Sequence, residues 1–187
     1  MDSTKAFWLF PPRLVVLIST IDKEGNENVA PHSEFINLYG NKHFLVAIDK
    51  NHDTYKNIKE TKEFVVGLPT IKIARAISIS GKSFPKGISE FKEANLTPIK
   101  AKKVCAPLIK ECAANFECKL SKEFTTPEEE NLILGEIIHL SYDEKFIKEN
   151  EEETRLNSPI AMHIYKGRVF TTSKGEIVDT GIDYKKL

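Results

Sequence analysis

Two stretches of this chain combine residue types that suit a flat polar ligand with a phosphate group. The first is residues 28–35, NVAPHSEF, where a strand-like beginning gives way to the polar residues His32, Ser33 and Glu34. Pro31 has no N–H to donate to a ladder, so it belongs at a sheet edge, a bulge or a strand end. A strand that stops pairing exposes backbone donors and short side chains. The alternative is a bulged edge strand capped by Ser33.

The second stretch, residues 50–58 (KNHDTYKNI), is predicted to be a turn that opens a helix, with Asp53 or Thr54 as its N-cap. The first turn of a helix has unpaired N–H groups and a partial positive charge, which favour a phosphate. Lys50, Asn51 and Thr54 are therefore candidate phosphate ligands. An ordinary capped helix with solvent-exposed lysines is the alternative.

The composition limits the classes of function. The chain has 187 residues, and 27 Lys plus Arg balance 27 Asp plus Glu to a net charge of zero. General nucleic-acid binders carry a basic excess, so no nucleic-acid partner is expected. No apolar run approaches the ~20 residues of a membrane helix, and no signal peptide is recognisable. We therefore expect no membrane partner and a cytoplasmic location.

Cysteine and histidine spacing gives no sign of a metal site. Cys105, Cys112 and Cys118 are odd in number and lack Cys-x-x-Cys spacing, so we expect reduced and mostly buried thiols. An iron site built from a histidine and a cysteine is the alternative, but no chelating spacing is present and no metal is expected. A catalytic triad, paired carboxylates, a P-loop and a Gly-x-Gly-x-x-Gly fingerprint are also missing, so no catalytic side chain is assigned.

Short strand-like runs between turn signals predict a mainly β protein with short helices. Residues 14–20 are apolar on both faces, which is typical of a central strand. Gly25 indicates a hairpin turn, and Gly135 allows a bend or bulge in a long strand at 132–140. Further strands are expected at 43–48, 63–68, 116–120, 160–165, 168–172 and 176–178, with helices at 53–62, after Thr70, after Ser89 and within 146–156. The pattern indicates a β-barrel with helical insertions.

Six segments, taken in order, resemble the flavin reductase-like family, which includes flavoredoxin and an archaeal ferric reductase. One departure is Asn95, which stands where the family has Gly but can also adopt a left-handed conformation. The matching segments are PRLVVLIST at 12–20, NVAPHS at 28–33, DT..NI at 53–58, EFVV at 63–66, SFPKGISEF with ANLT at 83–97, and PLIKECAANFEC at 107–118.

The resemblance implies a fold, a cofactor and an assembly. The fold would be an FMN-binding split β-barrel, Greek-key-like, forming a single domain over residues 1–187. Residues 1–12 would be an N-terminal extension, and residues 143–187 a C-terminal acidic segment with closing strands. The family is usually homodimeric, and the apolar residues 7–10 are a candidate contact.

The resemblance also implies which residues bind FMN. Lys86 could border the flavin or the nicotinamide donor, with a solvated loop lysine as the alternative, and His163 could approach the flavin. The ring strip would be Ala30, Pro31, His32 and Ser33, with Asn28 as a further cofactor-binding residue, and the phosphate ligands would be Lys50, Asn51 and Thr54.

The resulting hypothesis is an FMN-dependent oxidoreductase. It would pass electrons from NAD(P)H or a small redox protein to flavin, ferric chelates or a partner protein. Without a dinucleotide fingerprint, NAD(P)H would bind transiently over the flavin. The alternatives are a non-enzymatic FMN-binding carrier or sensor of the same fold, and a ligand-free β-barrel interaction module.

Overall fold

The structure is a computed structural model that describes residue 5 and residues 9–38, 40, 42–85, 87–126, 130–165 and 167–182. Within these residues, four short α-helices interrupt a mainly β chain: α1 (Asp53–Thr61), α2 (Ala74–Ser80), α3 (Glu90–Glu93) and α4 (Glu151–Leu156). The described strands are β1 (Arg13–Leu14), β2 (Val16–Ile21), β3 (Glu27–His32), β4 (Phe35–Asn37), β5 (His43–Asp49), β6 (Glu63–Pro69), β7 (Pro98–Ile99), β8 (Leu108–Ile109), β9 (Cys112–Thr125), β10 (Glu130–Tyr142), β11 (Met162–Tyr165), β12 (Val169–Thr171) and β13 (Ile177–Asp179).

Seven of these strands form one antiparallel sheet in the order β3-β2-β6-β9-β10-β5-β4. The sheet curls into a half-barrel, which confirms the predicted split β-barrel with short helices. Strands β1, β11, β12 and β13 form a second sheet beside it, and β7 pairs with β8.

Strand β2 lies inside the main sheet because both of its faces are apolar. Val16, Leu17 and Ile18 have no exposed surface, and β2 pairs with β3 on one side and β6 on the other. Strand β3 is the outermost strand on this side of the described sheet. Pro31, opposite Leu17, therefore lies at an edge, as its missing N–H predicted.

The longest strand pair, β9 with β10, contains two register shifts that curve the sheet. One lies between Leu134 and Gly135, where the sequence predicted a bulge, and the other lies between Ile137 and His139. Bulges increase the local twist and so help a sheet to curl. A Cβ atom at Gly135 would lie 2.3 Å from Cζ of Phe64, so a side chain here would collide with a fully buried ring.

The helices between β6 and β8 cover the outer face of β2 and β3. A 3₁₀ turn at Ile71–Ile73 leads into α2, as predicted after Thr70, and Ile77 is buried in the same cluster as Leu17. Helix α3 begins at Ser89, whose hydroxyl accepts the Lys92 N–H. Asn95 ends this region in a left-handed conformation with φ of 54°, the role expected of the glycine it replaces.

The cysteines agree with the prediction of mostly buried thiols. Cys112 and Cys118 are buried and Cys105 is exposed, and all three are free. Burial, as the first cause, raises the pKa of both buried thiols well above their usual range. No helix in the described part of the chain is long and apolar enough to cross a membrane.

Candidate functional site

A cavity of about 880 Å³ opens where the end of β3 meets the beginning of α1, the end of α2 and strands β11 and β12. Its apolar lining includes Val15, Ile77 and Phe170, and its polar lining comes mainly from β3 and the residues around the α1 N-terminus. The curled sheet therefore brings the two sequence stretches with chemical potential to one place.

Seven of the nine residues predicted to bind a cofactor line this cavity. Lys50 is exposed and does not belong to the lining, although its neighbours Asp49 and Asn51 do. Lys86 lies outside the described residues. The seven lining residues are Asn28, Ala30, Pro31, His32, Ser33, Asn51 and Thr54. Their binding of a ligand remains a prediction.

The strip at residues 30–33 lies at the end of an edge strand, as the sequence predicted. Strand β3 ends at His32, and β4 begins only at Phe35. An edge strand leaves alternate N–H and C=O groups without a partner in the sheet. The chain resumes pairing at Glu34, whose carbonyl accepts the Ala47 N–H at 2.9 Å.

A partly buried hydrogen-bond network at the cavity wall ties β3 to α1. Asn28 Nδ2 donates to Thr54 Oγ1 at 3.2 Å and to Thr20 Oγ1 at 3.3 Å, and Asn57 Nδ2 donates to Thr20 Oγ1 at 3.0 Å. Thr54 is 1% exposed. Its oxygen accepts from Asn28, so this bond does not use the hydroxyl proton of Thr54.

Helix α1 begins differently from the prediction that Asp53 or Thr54 caps it. The N-cap is His52, which makes no side-chain cap hydrogen bond. Asp53 instead pairs with Lys56 at 2.9 Å, and Thr54 is held by Asn28, so neither side chain can reach the helix end. The first-turn N–H groups thus keep their capacity to bind an anion.

Asp49 fixes the turn that leads into α1. Its Oδ1 accepts the Asn51 backbone N–H at 2.8 Å and the Asn51 side-chain amide at 2.9 Å. The backbone hydrogen bond is the main cause that lowers the pKa of Asp49. The turn is therefore held by an ionised carboxylate, which orients Asn51 toward the cavity.

His32 is the unusual side chain of the cavity wall. It is 8% exposed, its Nε2 has no hydrogen-bond partner among the described residues, and its ring centroid lies 6.4 Å from that of His52. Burial, and next the charge of His52, lower the pKa of His32 to about 3. The imidazole is therefore neutral at physiological pH.

We expect this buried neutral histidine to make the protein sensitive to acid. The unfolded chain takes up a proton near pH 6.5, whereas the folded chain does so only near pH 3, so stability is lost as pH falls through this window. Protonation of His32 in the unfolded chain should lower the free energy of unfolding by about 2 kcal/mol between pH 7 and pH 5. Urea denaturation of the wild type and of His32→Phe measures the difference. The control is His43→Gln, at a histidine outside the cavity, and this variant should keep the wild-type pH dependence of stability. An unchanged pH dependence in His32→Phe would contradict the expectation.

Sequence reasoning missed five charged or titratable residues of the described lining, namely Arg13, Asp49, His52, Lys82 and Glu90. Arg13 Nη1 bonds Glu34 Oε1 at 3.0 Å. Burial, followed by the charge of Asp53, raises the pKa of Glu90. Their position beside or inside the matched segments was an available signal, but nothing in the sequence showed which way each side chain turns.

His163 lies in the cavity wall, as the sequence hypothesis of an approach to this site requires. Its Nε2 accepts the Gly167 N–H at 2.8 Å, and its ring lies 6.1 Å from that of Phe170. These contacts hold the β11–β12 turn against the cavity, so His163 has a structural role whether or not it also meets a ligand.

Comparison with known proteins identifies the family. Residues 11–172 match the model of the flavin reductase like domain. A protein of Aquifex aeolicus is 36% identical over 149 residues, covering 76% of this chain and 75% of its own.

Solved structures share the fold. The Pseudomonas fluorescens 2-nitrobenzoate 2-nitroreductase superposes with a TM-score of 0.73 at 25% identity, covering 96% of this chain and 88% of its own. Flavoredoxin of Desulfovibrio vulgaris has a TM-score of 0.71 at 20% identity, with coverages of 91% and 88%. The chain belongs to the flavin reductase-like family, whose members bind flavin.

Proposed function

We propose that this chain is an FMN-dependent oxidoreductase. It passes electrons from NAD(P)H or a small redox protein to flavin, ferric chelates or a partner protein. The observation that carries the proposal is the single cavity that joins the strand-end strip at residues 30–33 to the uncapped N-terminus of α1. Membership in a flavin-binding family, and a nitroreductase among the structural relatives, support it.

The residues present fit FMN. A volume of about 880 Å³ lies within the range of small-molecule sites. Val15, Ile77 and Phe170 offer apolar surface to the faces of a flat ring, while the strip at 30–33 offers hydrogen-bonding groups to its polar edge. The α1 N-terminus suits one terminal phosphate, which favours FMN over a dinucleotide flavin.

The protein's part in the reaction is to bind and orient the cofactor. A bound flavin supplies the hydride and electron transfer itself. Thr54 can donate its hydroxyl proton to the phosphate, and Asn28 holds Thr54 in place. Lys82 lines the cavity and has no ion-pair partner within the described residues, so its ammonium group is available to an anionic group of cofactor or donor.

We also propose that the protein is a homodimer. Leu9 is 86% exposed and Phe10 is 68% exposed. They lie a few residues before Arg13, which belongs to the cavity lining. Residues 6–8 lie outside the described part of the chain. Ile164, in the lining itself, is 42% exposed. Exposed apolar side chains of this kind are suited to contact with a second subunit. Light scattering on the purified protein should give twice the mass of the chain.

An absorbance spectrum of the purified protein, followed anaerobically after addition of NADH or NADPH, tests the function. A flavin band that bleaches establishes a bound flavin and a nicotinamide donor. A band that stays oxidised with both donors favours a small redox protein as donor, or a carrier role. No band, even after soaking with FMN, would contradict the proposal.

Thr54→Val tests the phosphate site. The substitution keeps the shape of a buried side chain and removes the hydroxyl donor, and Asn28 still bonds Thr20. A hydrogen bond to a charged group contributes about 1.5–3 kcal/mol, so the dissociation constant of FMN should rise at least tenfold with little loss of stability. Flavin fluorescence quenching measures the affinity.

The matched control for this variant is Thr61→Val. Thr61 lies in the same helix but bonds the Asn57 carbonyl outside the cavity. FMN affinity should remain at the wild-type value in this control. Equal affinities of both variants would mean that Thr54 does not meet the phosphate.

A further inference from the structure

His32 presents two ring nitrogens with different surroundings. Nε2 is buried and has no partner among the described residues. Nδ1 also makes no hydrogen bond there, but it is not shut off from solvent as Nε2 is. Because the residue is 8% exposed and forms part of the cavity wall, the cavity is where Nδ1 can find a partner.

This asymmetry selects one tautomer. A neutral imidazole carries one N–H donor and one acceptor lone pair. Nε2 is unpaired in either tautomer, but a buried N–H donor without an acceptor is tolerated less well than a buried lone pair without a donor. The proton therefore belongs on Nδ1, the nitrogen that a ligand or water can reach.

The surroundings also keep the ring uncharged. The coulombic interaction with His52 opposes a positive charge on the His32 ring. Together with burial it keeps the pKa of His32 near 3, so the imidazole stays neutral across the working range of an enzyme.

We infer that His32 donates a hydrogen bond from Nδ1–H to an acceptor at the polar edge of the bound flavin ring, as a neutral imidazole. The inference rests on the proposed function. It makes His32 a residue that tunes the cofactor, because a donor at this edge stabilises the electron-rich reduced ring more than the oxidised one. It does so without placing a full positive charge beside the ring.

Three substitutions of His32 test the inference by geometry. The amide nitrogen of Asn is attached at Cγ, as Nδ1 is, whereas the amide nitrogen of Gln lies one bond further out, as Nε2 does. Phe keeps the ring shape and has no donor. FMN affinity should stay within about twofold in His32→Asn and fall about threefold to tenfold in His32→Gln and His32→Phe, the loss expected for one hydrogen bond. The midpoint potential of bound FMN should become more negative in His32→Phe and remain near the wild-type value in His32→Asn.

A second measurement needs no variant. Long-range ¹H–¹⁵N spectra of the histidine-labelled wild type, a chain of 21.2 kDa, report which ring nitrogen carries the proton. We expect the Nδ1–H tautomer of His32, with its resonance shifted on addition of FMN. This result decides the matter even if a variant fails to fold.

Other outcomes would overturn the inference, and they separate it from the proposed function. In one such outcome, all three variants keep the wild-type FMN affinity and midpoint potential, and FMN leaves the His32 resonance unchanged. This would show that flavin binds but that His32 does not contact it. Affinity kept by Gln and lost by Asn would assign the contact to Nε2. A wild type that binds no FMN would overturn the proposed function and this inference together.

Discussion

Glu117→Ala is expected to lower the free energy of unfolding by about 3–5 kcal/mol. Glu117 has no exposed surface, and its carboxylate accepts the backbone N–H groups of Lys102, Lys103 and Val104. Its removal leaves these donors without an acceptor and detaches the loop at residues 101–106 from the sheet. Urea denaturation followed by circular dichroism measures the loss. Glu117→Gln, which keeps one acceptor oxygen, should lose less.

The matched control is Glu63→Ala, which acts on the same loop. Glu63 Oε2 accepts one backbone N–H, from Cys105 at 2.9 Å, and its side chain is 20% exposed. We expect a loss of about 1 kcal/mol for this single bond. Equal losses at Glu63 and Glu117 would show that the three hydrogen bonds to Glu117 add nothing.

Gly135→Ala is expected to destabilise the half-barrel by about 2–3 kcal/mol. The added Cβ would lie 2.3 Å from Cζ of Phe64 and 3.1 Å from its Cε1. Phe64 is fully buried in the cluster that fills the inside of the curl, so its ring has no free space to enter. Thermal and urea unfolding of the variant measure the effect.

Phe64→Leu provides the test of this explanation through a double-mutant cycle. As a single substitution, Phe64→Leu lowers stability because the smaller side chain leaves a cavity. It also removes the ring atoms that would clash with a Cβ at residue 135. The double variant should therefore be at least about 1 kcal/mol more stable than the sum of the single losses predicts. Strict additivity would mean that the glycine is required for its backbone and not for the space above Phe64.

Much of the candidate site could be predicted because its signals are local. Pro31 cannot donate to a ladder, which indicated an edge strand, and the polar residues after it indicated where pairing stops. The turn before α1 likewise showed a helix start. The N-cap was predicted wrongly because Thr54 bonds Asn28, a residue of strand β3 that is distant in sequence. Local propensity does not contain such a contact.

Most strands, the turns and the family could be predicted from the sequence, because these depend on periodicity, on glycine and proline, and on ordered motifs. Which faces are covered depends on contacts between segments that are distant in the chain. The alternation of side chains in β9 places Glu117 on the face opposite the core residue Cys118, where a charged side chain is expected to meet solvent. A loop 13 to 15 residues earlier in the chain instead folds over Glu117 and buries it. His32 is neutral for the same reason, since burial and the nearby His52 come from chain segments that meet only in the folded protein.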